Sequence, residues 1–75
     1  MDAIYVTVRT RRQAMDLKIP DYITGAELLN ILSEITGEKL PAGTIIQAEP
    51  IGRILDHTQT LASDGVETGA LLTLT

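Results

Sequence analysis

The chain has 75 residues, with ten acids against six bases, a formal net charge of −4 and no cysteine. The missing cysteine excludes a disulfide framework or a thiolate metal site, and the acidic balance argues against nucleic acid as the main partner, since duplex binding needs a basic face. A chain this short buries only about 60% of the surface its unfolded form exposes, so residues 1–75 are expected to form one domain in which most apolar side chains serve a single core. The start, MDAIYVTVRT, lacks the basic residues and long apolar run of a signal peptide. No apolar stretch approaches the roughly 18 residues of a membrane span, so a soluble protein of the cytoplasm without membrane insertion is expected.

Residues 3–9 alternate, with Ile4, Val6 and Val8 on one face and Ala3, Tyr5, Thr7 and Arg9 on the other. This period of two, with β-branched residues, predicts a half-buried strand. Residues 14–19 repeat the pattern through Met15, Leu17 and Ile19, and the polar run Thr10–Gln13 fits a hairpin loop. Pro20 ends the second strand because it has no ladder donor. At Thr24 the period changes. Thr24 and Glu27 form a T-x-x-E capping box, and Gly37 stands at the left-handed position that closes a helix. The spacing predicts a helix over 25–36. Leu28, Ile31, Leu32 and Ile35 form its apolar stripe, with Leu29 on the flank. Residues 44–48 read as a third strand and 53–55 as a short fourth. Residues 56–69 read as a polar loop anchored by Leu61 and Val66, and 70–75 as a final strand.

A hairpin with one apolar face needs a cover, and one amphipathic helix supplies it. The expected fold class is therefore α+β: a ubiquitin-like β-grasp, with a mixed sheet of four to five strands packed on one helix. The helix stripe is expected to meet Ile4, Val6, Met15, Leu17, Leu72 and Leu74.

Over nearly its whole length the sequence resembles ubiquitin, most locally from Gly52 to Val66, GRILDHTQTLASDGV. It more closely resembles the bacterial YukD/EsaB family of ubiquitin-like proteins. The similarity lies in DLKIPDY, Asp16–Tyr22, leading into the helix, and in DGVETGALLTL, Asp64–Leu74. The resemblance implies an accessory or regulatory component of the type VII (WXG100) secretion system of Gram-positive bacteria, active in the cytoplasm. Its implied partner is a cytoplasmic domain of the membrane-bound machinery. A modifier or sulfur carrier of this fold needs a mobile tail ending in Gly-Gly. The sequence stops at Thr75, after the last strand, so a module that is not conjugated is expected. The alternative is a carrier whose diglycine is missing from this chain.

No enzyme chemistry, cofactor or metal is expected. His57 beside Asp56 lacks a nucleophile and reads as part of a solvated loop. Asp56, Asp64 and Glu67 do not match the spacing of a calcium loop, and Asp64-Gly65 reads as a turn. Two features point to a protein partner. Arg9, Arg11 and Arg12 gather half of the six basic residues at the first hairpin, where they suit an acidic partner or keep a sheet edge soluble. Tyr5, Leu71 and one of the adjacent pair Ile45 and Ile46 are forced by alternation away from the helix. With the strands ordered second, first, fifth, third, these three are expected side by side as an apolar docking patch.

Overall fold

A computed structural model of the chain describes residues 2–75. Strands β1 (Ala3–Arg9) and β2 (Ala14–Pro20) form the opening hairpin. Helix α1 (Gly25–Thr36) follows, then β3 (Ile46–Glu49), the short β4 (Arg53–Ile54) and β5 (Leu71–Leu74). The sheet order is β2-β1-β5-β3-β4. β5 enters parallel to β1 and antiparallel to β3, so the sheet is mixed. This is the ubiquitin-like β-grasp arrangement. Among the described residues no helix is long and apolar enough to cross a membrane.

The helix begins and ends where its caps dictate. The Thr24 hydroxyl accepts from the Glu27 amide at 3.1 Å, and the Glu27 carboxylate accepts from the Thr24 amide at 2.9 Å. At the far end Gly37 takes φ 72°, and its amide donates to the Ser33 carbonyl, a conformation that costs glycine nothing. The buried row is Gly25, Leu28, Leu29 and Leu32. The expected stripe needs correction here. Ile35 is 55% exposed and Ile31 only half-buried, whereas Leu29 is core. At about 100° per residue Ile35 lies roughly 70° from the middle of the buried row and Ile31 further still. The burial is rotated toward Gly25 because the Asp56–Thr60 segment covers the start of the helix. There the Gly25 and Ala26 amides donate to the carbonyls of Gln59 and His57, which satisfies two of the orphan donors of the first turn. A Cβ on Gly25 would lie 3.2 Å from the His57 Cα, so the close approach favours glycine.

The helix closes on Ile4, Val6, Val8 and Ile19 from the hairpin and on Ile46, Ala48, Leu72 and Leu74 from the other strands. Met15 and Leu17 are half-buried because β2 is an edge strand. Leu55, Leu61 and Val66 complete the core, so the polar 56–69 stretch is anchored where expected. The third strand starts at Ile46 rather than 44, and the last spans 71–74 rather than 70–75. Even so, Ile45 and Thr75 exchange two backbone hydrogen bonds at 2.9 Å, which extend the ladder by one pair.

Candidate interaction surface

The face of the sheet turned away from the helix can be laid out from the pairing register. Side chains of directly paired residues share a face. One row across the sheet runs Asp16, Thr7, Leu71, Glu49, and the next Ala14, Arg9, Thr73, Gln47, Ile54. Tyr5 stands two residues before Thr7 on β1, diagonal to Leu71 and opposite Lys18. The Lys18 ammonium lies 5.8 Å from the centre of the Tyr5 ring, within cation–π range. Tyr5 is 59% exposed and Leu71 half-buried.

The Ile45/Ile46 ambiguity is resolved. Ile46 is fully buried opposite Leu74, and Ile45 is 43% exposed. Ile46 is therefore corrected from a candidate contact to a core residue, since it follows the inward alternation of Ile46 and Ala48. Ile45 faces out but not beside Leu71. Leu71 pairs with Glu49, and Ile45, just before β3, is four residues from Glu49, about 14 Å at ~3.4 Å per residue. The three residues thus do not form one contiguous cluster. Tyr5 and Leu71 stand together at one end. Ile45 stands at the other, diagonal to Ile54, which is 61% exposed and paired with Gln47. Thr7, Thr73, Gln47 and Glu49 lie between them. The Thr7 hydroxyl donates to the Asp16 carboxylate at 2.7 Å, and the Gln47 amide to that of Glu49 at 3.2 Å. Sequence reading missed Ile54. Its only signal is the pairing of β4 with Gln47, which two residues of strand do not announce.

The arginines divide. Arg9 sits on the outward face opposite Ala14 and beside Thr73. Arg11 and Arg12 sit in the hairpin loop and line an open cleft at the end of the sheet.

His57 is not a freely solvated loop side chain. It is half-buried, and its Nε2 lies 2.7 Å from the Thr44 carbonyl oxygen. A carbonyl only accepts, so this nitrogen carries the proton. The bond ties the segment before β3 to the loop over the start of the helix. Asp56 is engaged elsewhere: its Oδ1 accepts from the Thr58 amide at 2.8 Å and the Thr58 hydroxyl at 2.7 Å. Asp64, nearly buried, accepts the Asp56 amide on its Oδ2 at 2.9 Å. Among the described residues no group of three or more His, Cys, Asp or Glu is placed to hold a metal.

The Thr58 amide, and after it the Thr58 hydroxyl, hold the Asp56 carboxyl below its ordinary pKa; burial opposes this slightly and the His57 charge adds to it. A carboxylate with a depressed folded pKa contributes stability above its unfolded pKa of about 3.9, and loses it as pH falls through the lower folded value. Wild type and Asp56→Ala should therefore differ in thermal midpoint near neutral pH and converge as pH falls below about 4. A difference unchanged by acid would show that the Asp56 charge plays no part.

The family model for the protein YukD of the WXG100 protein secretion system (Wss) matches residues 3–74. The chain belongs to the YukD family. No curated protein sequence matches this YukD-family chain. Among solved structures it is similar to a ubiquitin-like domain of an Arabidopsis thaliana protein, at 17% identity and a TM-score of 0.82, with 100% of this chain and 78% of that one covered. A second Arabidopsis thaliana protein is 30% identical, with a TM-score of 0.79 over 96% of this chain and 81% of that one. The ubiquitin of Caldiarchaeum subterraneum is 21% identical, with a TM-score of 0.73 over 97% and 91%. These likenesses establish the ubiquitin-like fold of this YukD-family protein.

Proposed function

We propose that this chain is a non-catalytic, non-conjugated ubiquitin-like module that works in the cytoplasm as an accessory or regulatory component of a bacterial type VII secretion system. It docks through the outward sheet face onto a cytoplasmic domain of the membrane-bound machinery. The observation that carries this reading is Tyr5. It stands in the middle of a regular strand, is more than half exposed and makes no contribution to the core. Leu71 lies diagonal to it, and the Lys18 ammonium lies over its ring. An exposed tyrosine with arginine nearby matches the residue types that dominate interface hot spots, and Leu71 adds apolar area beside it. Arg9 on the same face, and Arg11 and Arg12 beyond it, steer an acidic partner and make association salt-sensitive. Family membership supplies the secretion system as the setting.

The test is Tyr5→Ser combined with Leu71→Ser, first checked for an unchanged fold by amide spectra. Burying an exposed apolar side chain against a partner is worth about 1.5–3 kcal/mol, and the half-buried Leu71 contributes less than that. The folded double variant should no longer capture the secretion-machine domain that the wild type captures from its native cell. If it captured that domain as well as wild type, the sheet face would not be the interface.

A further inference from the structure

Beyond the sheet face, the hairpin loop and the segment after the helix enclose an open cleft of about 570 Å³ at the end of the sheet. That volume is in the range of ligand clefts and far more than a single ion needs. Arg11 and Arg12 line one wall and Lys39 the other, and Leu40 and the buried Leu74 supply apolar lining. Among the described residues Glu38 is the one acidic side chain that lines it, and its Oε2 is already engaged. It accepts from the Thr10 hydroxyl at 2.9 Å and the Gln13 side-chain amide at 2.7 Å. The Thr10 hydroxyl in turn accepts the Arg12 and Gln13 amides at 3.1 and 3.2 Å. Glu38 therefore ties the two walls together and fixes the loop that carries the arginines, so the cleft is preorganised.

The charge distribution selects the occupant. Three of the six bases and one of the ten acids line the cleft, while the rest of the chain carries three bases and nine acids, of which only Asp64 is buried. A positive concavity on an otherwise acidic molecule focuses the field on a local anionic group. An extended polyanion such as nucleic acid would meet the acidic remainder as well. The apolar lining asks for a side chain rather than a bare anion.

We propose that this cleft binds an acidic peptide segment of a partner protein, with one apolar side chain seated against Leu40 and Leu74 and flanking carboxylates paired with Arg11, Arg12 and Lys39. The cleft shares Arg11 and Arg12 with the steering role given above but contains neither Tyr5 nor Leu71, so it does not depend on the sheet face.

The probe is a blocked peptide of aspartates and glutamates around one central leucine, titrated into the ¹⁵N-labelled full chain. Amide shifts should change at residues 10–13, 38–44 and 74–75. Binding should weaken about tenfold between ~0.05 and ~0.3 M salt, and by about the same factor or more in Arg11→Glu with Arg12→Glu. Replacing the peptide's leucine by glycine should weaken it further. The Tyr5→Ser, Leu71→Ser variant should bind the peptide like wild type, so failure of the sheet-face reading and failure of this one are separable. Equal binding of the same peptide with lysines for acids, or shifts confined to the sheet face, would overturn the proposal. So would sedimentation of the protein with phosphatidylglycerol vesicles, lost on reversing the arginine charges, when the peptide shifts no amide; the cleft would then belong to a membrane surface.

Discussion

Replacing Leu32 by alanine is expected to lower the unfolding free energy by about 2–5 kcal/mol, whereas Ile35→Ala should change it by less than about 1 kcal/mol. Both residues lie on the stripe that periodicity draws along the helix, yet Leu32 is fully buried and Ile35 is 55% exposed. Leu32 is enclosed by a core to which all of β1, β3 and β5 contribute. Truncation there removes transfer free energy and leaves a cavity that close-packed neighbours fill only partly. In a domain of 75 residues that loss is a large share of a total stability of about 5–15 kcal/mol. Urea midpoints of the two variants decide the matter. Equal shifts would mean that the buried row is not centred on Leu28, Leu29 and Leu32.

His57→Ala is expected to cost about 1–3 kcal/mol, because it leaves the part-buried Thr44 carbonyl without its partner. The loss should also be local. Ile45 follows Thr44 directly and pairs with Thr75, so the Ile45 and Thr75 amides should exchange with solvent faster. The Ala26 amide donates to the His57 backbone carbonyl, which the substitution keeps, so its protection should survive. Uniform acceleration across both places would show global destabilisation rather than release of one tie. An unchanged variant would show that water replaces the imidazole at no cost.

Local signals made much of the fold legible. The capping box at Thr24 and Glu27 and the left-handed Gly37 fix the helix limits within one turn's worth of sequence, and the alternation of Ile4, Val6 and Val8 fixes the inward face of β1. What was not legible depends on pairing over distance. Ile45 and Ile46 are chemically equivalent in sequence, and only the pairing of Ile46 with Leu74 chooses between them. The outward patch looked contiguous because strand order alone says nothing of register along the strands. Four residues of offset put Ile45 near Ile54 instead of Leu71. The 56–69 segment carries no periodicity because long-range bonds order it, among them Leu61 to Ile23 and Ala62 to Asp21. Its histidine therefore read as solvated. The basic cleft draws on residues 10–12, 38–41, 43–44 and 74–75, and no linear motif joins them.

The claim that the sheet face docks a protein partner is tested most directly by cross-saturation NMR. The deuterated, ¹⁵N-labelled chain would be observed in complex with the cytoplasmic secretion-machine domain proposed as its partner. Saturation should arrive first at the amides of Tyr5, Thr7 and Leu71 and their cross-strand neighbours Lys18 and Glu49, and leave Asn30 and Glu34 on the far side of the helix untouched. Saturation centred on Asn30 and Glu34, with none at Tyr5 and Leu71, would contradict it.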